Sequence, residues 1–403
     1  MEKELFEIAL SITEPIYIED LKFNPDTGAL HIHMNFHRGA TFACSECGKD
    51  NLSVKNTIKK SWRHLNFFQH KCYLHLRTPS TICPDCGVRL WIPPWGRKKS
   101  GFTLLFEAFI LTLAKGMPVS QISKLVAEHD TRLWRIIRHH VNKAYSRKVM
   151  TNVTKVGTDE TSRRRGHNYV TVFANLEKGD TLFVTKGRDS STIKAFADEL
   201  GKHGGTPDQI KEVAIDMSTS FISGVEKYLT KAKITFDKFH IIKALNEALD
   251  EVRREEQKLL PFLKKTRYIW LKNPKNLTKE QTVRLRDLRG YNLKTGKVYQ
   301  MKLNFQEIFR NIEEPEIAET SIKKWLSWAV RSRIEPVKNF ARMVKEHWCG
   351  IMHYFTSRLT SGIMEGLNSR IQEIKRRARG FRNVDNFITL IYLETASLDF
   401  SIP

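Results

Sequence analysis

Three acidic residues stand where carboxylates can serve phosphoryl chemistry. Asp159 follows VGT, Asp216 follows VAI, and Glu365 precedes a run of cations in TSGIMEGLNSRIQEIKRRARGFRN, residues 360–383. Phosphodiester cleavage needs an oxygen nucleophile in line and neutralised charge on the phosphorus oxygens, which two carboxylate-bound Mg²⁺ (or Mn²⁺) ions provide. Neighbouring strand ends hold two Asp side chains close together, and a Glu on a helix packed against that sheet adds a third ligand. The spacing alone leaves open that each residue is a turn, cap or solvated position.

Four of the six cysteines form two Cys-x-x-Cys pairs, Cys44 with Cys47 and Cys83 with Cys86. Each pair is followed by a glycine, which permits the tight turn that aims two thiolates at one ion. Four thiolates in a tetrahedron are typical of a closed, structural Zn²⁺ site, so we predict a zinc ribbon here rather than chance pairs of core cysteines. We interpret the remaining two, Cys72 and Cys349, as buried or inert thiols.

A candidate helix-turn-helix lies in VSQISKLVAEHDTRLWRIIRHHVNKA, residues 119–144, with the turn at residues 128–130. Its apolar positions are spaced to seal two helices against each other: Ile122, Leu125, Val126, Leu133, Ile136, Ile137 and Val141. Four side chains project from the second helix as a basic recognition surface: Arg132, Arg135, Arg138 and His139. The alternative is a helix hairpin without a role in DNA binding.

The charge balance indicates a polyanionic partner. Lys and Arg number 67 against 44 Asp and Glu, a formal charge of +23. Such an excess, spread along the chain, favours nucleic acid as the partner. No stretch approaches the ~20 apolar residues of a membrane span, and the N-terminus lacks a signal-peptide pattern. We therefore expect an intracellular, cytoplasmic protein with reduced thiols and no membrane contact.

The length of 403 residues predicts several domains. Residues 1–40 have the pattern of short strands around the turn NPDTGA, and the helical period begins at residue 101. From residue 153 the pattern predicts three strands, a helix, a strand, a helix and a strand, which is a mixed α/β sheet. Residues 241 to about 350 are predicted to be helical and charged, and the chain closes with the helix NVDNFITLIYLETAS.

Four blocks resemble the ISL3 family of bacterial insertion-sequence transposases: VGTDET, VAIDMSTSFISGV, ITFDKFHIIKALNEALDEVRREE and SGIMEGLNSRIQEIKRRARGFRNVDNF. The resemblance covers essentially the whole chain in the same order. It implies a multidomain α+β protein with an N-terminal zinc ribbon, a helix-turn-helix and a ribonuclease H-like DDE catalytic domain interrupted by an all-helical insertion. The family's acidic triad falls on Asp159, Asp216 and Glu365, which would bind the two metal ions.

The implied domain boundaries follow from the same blocks. We expect N-terminal strands and zinc ribbon in 1–96, the helix-turn-helix domain in 97–150, the first part of the catalytic domain in 151–244, the helical insertion in 245–350, and the C-terminal catalytic helices in 351–403. Asp237 and His240 match an Asp-x-x-His feature of related transposases that carry such insertions. Positioning DNA or ligands is one interpretation of this pair, and a salt bridge at a strand-to-helix corner is the other.

Further residues gain an interpretation from the catalytic assignment. Cations following Glu365 are expected to hold phosphates that flank the scissile bond: Arg370, Lys375, Arg376, Arg377, Arg379 and Arg382. Asn368 lies one turn from Glu365 and is expected to bind phosphate or orient that carboxylate. Glu160 should face away from Asp159 by strand alternation. Arg163, Arg164 and Arg165 form a second cationic cluster or a solvated loop.

Four tryptophans fall in the predicted insertion, and we interpret them as core rather than as platforms for an extruded base: Trp270, Trp325, Trp328 and Trp348.

The resemblance thus implies a transposase that binds terminal inverted repeats, cuts DNA and joins the released 3′-hydroxyl to target DNA. Because two element ends must be joined, it also implies a homodimer or larger assembly. The alternatives are a domesticated DNA-binding protein without catalysis and a related nuclease for RNA or junctions.

Overall fold

The computed structural model of the protein describes residues 2–162, 169–359 and 362–401. The chain forms two compact units, Met1–Ala144 with Asp399–Pro403, and Tyr145–Leu398. Within the described ranges, no helix has both the length and the apolar composition needed to span a bilayer.

The first unit is built on a sheet of five strands. They are β1 (Ile16–Asn24), β2 (Ala29–Phe36), β3 (Val54–Phe67), β4 (His70–Cys83) and β5 (Gly87–Leu90). The order is β1-β2-β4-β3, with β5 paired to the end of β4. Strands β2 and β4 are parallel, and the other pairs are antiparallel. Because side chains alternate along a strand, one face buries Ile32, Trp62 and Leu74, and the other face is left for polar residues.

Three helices follow this sheet in the chain: α2 (Leu104–Ala114), α3 (Val119–Val126) and α4 (Asp130–Ser146). Helix α2 begins at Thr103, whose side chain accepts a hydrogen bond from the backbone N–H of Phe106. Helix α3 ends where Ala127 takes the left-handed conformation, with a φ of 51°. The helix pair predicted from the sequence is therefore present, with its turn at residues 127–129, one position earlier than expected.

Two local expectations were wrong. Residues 2–9 form a helix, α1 (Glu2–Ala9), where short strands were expected. This helix is held because Phe6 contacts Phe67 with ring centroids 5.4 Å apart, and Glu7 accepts a hydrogen bond from the N–H of Ile18 at 2.7 Å. Leu125, expected to seal the helix pair, is 59% exposed, because Ile122 and Val126 already take the inward positions of the short α3.

The second unit contains a sheet with the order β10-β9-β6-β7-β8. Its strands are β6 (Lys155–Ser162), β7 (Tyr169–Asn175), β8 (Thr181–Lys186), β9 (Glu212–Ile215) and β10 (Lys233–Phe236). Strands β6, β7 and β8 are antiparallel neighbours, whereas β9 runs parallel to both β6 and β10. Helices α5 (Ser190–Lys202) and α6 (Thr219–Tyr228) make the two crossovers. The succession of elements is the one that the sequence predicts.

A long helical segment separates β10 from the last two helices. It comprises α7 (Lys238–Leu259), α8 (Arg267–Leu271), α9 (Lys279–Arg289), α10 (Lys294–Asn311), α11 (Pro315–Arg331), α12 (Glu335–Glu346) and α13 (Trp348–Ser357). Its buried side chains form one continuous apolar cluster with those of the sheet. Trp270 and Trp325 are buried in this cluster, as expected, whereas Trp328 is 36% exposed and Trp348 is half-buried. Cys349, expected to be buried or inert, is exposed.

The chain ends with α14 (Gly362–Arg377) and α15 (Val384–Thr395). Helix α14 packs on β6 at Gly157, where an added Cβ would lie 2.7 Å from Leu176 Cδ2 and 2.8 Å from Met364 Cγ. Met364 and Leu367 of α14 form a small apolar cluster with Ala174, Leu176 and Ala214 of the sheet region. Only glycine at position 157 allows this approach, and the contact places α14 beside the carboxyl end of β6.

Candidate active site and metal centre

The parallel register of three strands brings three aspartates to one edge of the sheet. Strand β6 pairs with β9 at Gly157 and Ala214, so Asp159 and Asp216 each lie two residues beyond paired positions. Strand β10 pairs with β9 at Phe236 and Ile215, and the N–H of Asp237 donates to the carbonyl of Ile215 at 3.1 Å. Asp159 therefore lies in the second half of β6, and Asp216 and Asp237 directly follow β9 and β10, toward the carboxyl ends of the parallel strands, where open α/β sheets place their ligands.

The face on which Asp159 lies is the one that α14 covers. Asn368 of α14 donates a hydrogen bond to Asp159 Oδ2, and Gln372 of α14 donates one to Thr161 Oγ1 at 2.9 Å. Because side chains alternate along a strand, position 157 lies on this side as well. The same alternation turns Glu160 to the opposite face, where it interacts with Arg188. The predicted separation of the two neighbouring acids is consistent with these contacts.

Burial governs the protonation of this site. It raises the pKa of Asp159, and the nearby Asp216 carboxylate raises it further, while the N–H of Glu160, His240 and Asn368 act in the opposite direction. Burial, with the charge of Asp216 as the second cause, raises the pKa of Glu160 to about 7. The carboxylates of these acids repel one another when they are ionised. A bound cation would offset that repulsion, so such a group of carboxylates favours cation binding.

Asp216 and Asp237 are each oriented by a local backbone donor. Asp216 Oδ1 accepts from the N–H of Ser218 at 3.0 Å, so it has the turn geometry that the sequence left open. Asp237 caps α7 by accepting from the N–H of Phe239 at 2.8 Å. His240 Nε2 lies 4.0 Å from Asp237 Oδ2 and is also close enough to Asp159 to lower its pKa. The Asp237–His240 pair thus lies beside the first two acids.

Glu365 stands in the first turn of α14, exposed, three residues before Asn368. Among the described residues, the four cysteines discussed below are the one group of possible metal ligands whose ligand atoms lie close together. The carboxylate oxygens of Asp159, Asp216 and Glu365 are farther apart than those sulfurs. Carboxylate oxygens are the donors that Mg²⁺ and Mn²⁺ prefer, and the Asn368 Oδ1 atom beside Asp159 is buried without a hydrogen-bond partner. The third predicted ligand therefore sits on the helix that contacts the first.

Several basic side chains that were expected to bind phosphate form hydrogen bonds or ion pairs with other residues of the protein. Arg370 donates to the carbonyl of Glu394, Arg377 pairs with the Glu394 carboxylate, and Lys375 Nζ donates to the carbonyl of Ser162 at 2.7 Å. Arg376 and Arg379 are exposed and form no ion pair within the described part of the chain. Arg163, Arg164 and Arg165 lie outside the described residues. The exposed pair is thus the part of the basic run that is open to solvent.

The four predicted zinc ligands meet in the first unit. The sulfurs of Cys44, Cys47, Cys83 and Cys86 all lie within 4.8 Å of one another. Backbone N–H groups of Cys47 and Glu46 lower the pKa of Cys44 to about 7, which favours its thiolate. The neighbouring sulfurs, Cys47 foremost, raise the pKa of Cys86. Four neighbouring thiolates repel one another, so the four thiols cannot all be ionised without a bound cation. Such a set of four soft sulfur donors fits Zn²⁺.

The candidate recognition helix α4 presents its cations unequally. Arg135 and His139 are exposed, and Arg138 is half-buried. Arg132 pairs with Glu128 and lies over the ring of Phe102, with 4.3 Å from Cζ to the ring centroid. Arg132 therefore shapes the turn, and Arg135 and His139 are the residues of this set that remain on the surface.

Comparison with known proteins decides the assignment. The ISL3-family DDE transposase model, described as "Transposase", matches residues 156–391. The chain belongs to the ISL3 family of transposases. Further matches to this family are its helix-turn-helix domain over residues 92–141 and the zinc-finger of transposase IS204/IS1001/IS1096/IS1165 over residues 40–89. The expected zinc ribbon and helix-turn-helix of an ISL3 transposase are therefore confirmed as domains.

Two relatives of this ISL3 chain are similar over most of its length. A transposase for insertion sequence element IS1557 of Mycobacterium tuberculosis is 25% identical, covering 99% of this chain and 97% of the relative. A transposase for IS1001 of Bordetella parapertussis is 28% identical over 86% of this chain and 87% of the relative. The likeness thus extends across the zinc ribbon, the helix-turn-helix and the DDE region.

Sequence reasoning missed a buried ionic network that positions the recognition helix. Glu107 is fully buried and accepts hydrogen bonds from Arg97 at 2.7 Å and Ser100 at 2.6 Å, and it contacts His140 of α4 at 2.5 Å. The signal was present, because a single acid in the apolar run FTLLFEAFILTL requires a buried partner. The sequence gives no comparable indication of which basic residue is the partner of Glu107.

Proposed function

We propose that the protein binds the terminal inverted repeats of an insertion sequence through its zinc ribbon and helix-turn-helix, cuts the DNA and transfers the released 3′-hydroxyl to target DNA. Its place of action is the cytoplasm, on the nucleoid. Because two element ends must be joined, the active form is a homodimer or a larger assembly on double-stranded DNA.

The proposal includes a ribonuclease H-like catalytic fold. Its support is the order β10-β9-β6-β7-β8, in which three antiparallel strands come first in the chain and two parallel strands are added beside the first of them. The helical segment from α7 to α13 then is an insertion between β10 and α14. This arrangement accounts for the long separation of Asp216 and Glu365 in sequence.

One observation carries the catalytic assignment. Asp159 and Asp216 lie at matching positions on neighbouring parallel strands, and Asn368 of the helix that bears Glu365 donates to Asp159. Asp159, Asp216 and Glu365 would hold two Mg²⁺ or Mn²⁺ ions, which supply an activated water and neutralise charge on the phosphate. Asn368 orients Asp159, and Arg376 and Arg379 offer exposed charge for flanking phosphates.

The test is a cleavage assay on a labelled element end with purified variants. Asp159→Asn, Asp216→Asn and Glu365→Gln each keep size and hydrogen bonding but remove a negative ligand. We expect each to lose about a thousand-fold or more in cleavage, equivalent to several kcal/mol of stabilisation of the transition state. Binding of the same DNA end should persist in an electrophoretic shift assay.

The matched control is Glu373→Gln, the same change at an exposed position of α14 that the site does not use. It should cleave like the wild type. Retained full cleavage by one of the three test variants would remove that residue from the site. Cleavage that needs no divalent ion would refute the two-metal chemistry altogether.

A further inference from the structure

The outer face of the first sheet carries an arrangement of aromatic and basic residues that the helix-turn-helix and zinc ribbon do not use. His31 and His33 of β2 face Tyr73 and His75 of β4 on this side. The ring of His75 stacks on that of His33 at 4.7 Å between centroids and on that of His31 at 5.1 Å. Three imidazoles thus stack in a row on this sheet face, and we call this row the histidine platform.

Hydrogen bonds hold this platform rigid. His75 is bonded through Nε2 to His31 Nδ1 at 2.9 Å and through Nδ1 to Ser61 Oγ at 2.7 Å. The ring of His33 makes no hydrogen bond within the described ranges, so its nitrogens remain available to a ligand. Burial lowers the pKa of His75 to about 4 and also lowers that of His33, which leaves the rings neutral.

Basic side chains surround the platform. A cavity of about 400 Å³ is lined on this face by His33, His75, Lys59, Ser61 and Arg77, with Glu19 as the one acid of its lining. Lys59 forms no ion pair among the residues that the structure describes, and the exposed guanidinium of Arg77 donates to Thr57 Oγ1 at 3.3 Å. Unpaired cations around a polar concavity are complementary to phosphate.

The platform is continuous with the helix-turn-helix inside the first unit. The guanidinium of Arg63, which is buried, lies over the Tyr73 ring at 5.5 Å and 3.8 Å from Glu128 Oε1 in the turn. Tyr73 stacks in turn on His31 at 5.4 Å. Lys71 Nζ donates to the carbonyl of Ala127 at 3.4 Å. One packed series of residues therefore joins the turn before α4 to the open half of the sheet.

We propose that this sheet face, defined by His33, Lys59, Ser61 and Arg77, contacts the phosphate backbone of the same DNA duplex that the helix-turn-helix binds. The contact extends the interface along the DNA and adds affinity without reading bases. From Tyr73 to Arg77 the strand spans roughly 13 Å, enough for about three successive phosphates of one strand. The inference rests on the proposed DNA binding and adds a surface to it.

The experiment measures binding of the full-length, zinc-loaded protein to a fluorescent duplex by anisotropy at several salt concentrations. The test variant is Lys59→Gln/Arg77→Gln. Removing two phosphate contacts should reduce the magnitude of the slope of log affinity against log salt by about 2, since each contact contributes roughly 0.9. Affinity should fall to a similar degree on element-end and unrelated duplexes, because backbone contacts carry no sequence preference.

The matched control, Lys275→Gln/Arg286→Gln, removes the same charge from exposed positions elsewhere. A test variant with the control's slope and affinity would overturn the proposal, as would a loss confined to single-stranded oligonucleotides. Hydroxyl-radical footprints should lose protection beside, and not within, the helix-turn-helix site. A wild-type protein that binds no duplex would refute the proposed function itself, whereas wild-type binding with an unaffected variant refutes only the sheet contact.

Discussion

Asn368 links the two halves of the acidic site. Its side-chain N–H donates to Asp159, and its Oδ1 is buried without a partner. It stands three residues after Glu365, so one turn of α14 both presents a predicted ligand and orients another. An oriented carboxylate costs less to reorganise when it binds an ion, which is why partners of metal ligands influence activity strongly.

Replacing Asn368 with alanine should therefore reduce cleavage by roughly 10- to 100-fold while DNA binding stays at the wild-type level. The measurement is single-turnover cleavage of an element end beside an anisotropy titration. Gln372→Ala is the matched control, because Gln372 lies one turn further along α14 and bonds Thr161 rather than an acid. Equal losses in the two variants would mean that Asn368 acts through helix packing alone.

At this scale the sequence predicts Asp159 and Asp216 as candidate ligands, since an acid that comes after an apolar stretch of strand pattern is visible locally. Alternation also separates Glu160 from Asp159. The bond between Asn368 and Asp159 joins residues 209 positions apart, and no local pattern encodes it. The same holds for Arg370 and Arg377, which the sequence presents as phosphate ligands and the fold engages with Glu394.

The candidate site depends on the contact between helix α14 and strand β6. Gly157 has no side chain, and Met364 and Leu176 occupy the space that one would need. Larger residues inserted into packed positions typically cost 1–3 kcal/mol and shift the backbone. A shift here separates the helix carrying Glu365 and Asn368 from the strand carrying Asp159.

We expect Gly157→Val to abolish or strongly reduce cleavage and to lower the thermal midpoint of the second unit, with binding of the DNA end retained. Calorimetry and the cleavage assay report the two effects. Gly201→Val in α5 serves for comparison, because an added Cβ there meets no atom within 4 Å. Wild-type cleavage by the Gly157 variant would show that α14 can occupy another position without consequence.

Strand and helix succession in the second unit follows from periodicity, since a period of two changes clearly to a helical period. The conformation of helix α1 does not follow from periodicity. Lys3, Phe6 and Glu7 attach this helix to the sheet, and its Leu5 and Ile8 remain exposed. An eight-residue segment with that composition carries no strong pattern of its own, and tertiary contacts decide its conformation.

On the scale of the whole molecule, the chain separates a unit with the four cysteines from a unit with the acids. Both Cys pairs flank the long β3–β4 hairpin, so an ion at this position would connect its start to its end. Zinc bound by four thiolates contributes its binding free energy to folding of the part that holds it.

Cys44→Ser should lose bound zinc, measured by elemental analysis, and weaken DNA-end binding by tenfold or more. Helical ellipticity should change little, because most helices belong to the second unit. The exposed, solitary thiol of Cys349 provides the control, and Cys349→Ser should retain zinc and binding. An unchanged zinc content in the Cys44 variant would contradict the ribbon assignment.

The shared apolar interior of the sheet and the helices α7 to α13 limits how such an enzyme can be shortened. Gly350 of α13 approaches the ring of Phe236 so closely that a Cβ would lie 2.5 Å from it. Trimming the helical segment to obtain a minimal nuclease would uncover Phe236 and the free edge of β10, and an unpaired strand edge invites aggregation. Reductions in size are therefore better sought in the surface loops that join these helices than in the helices themselves.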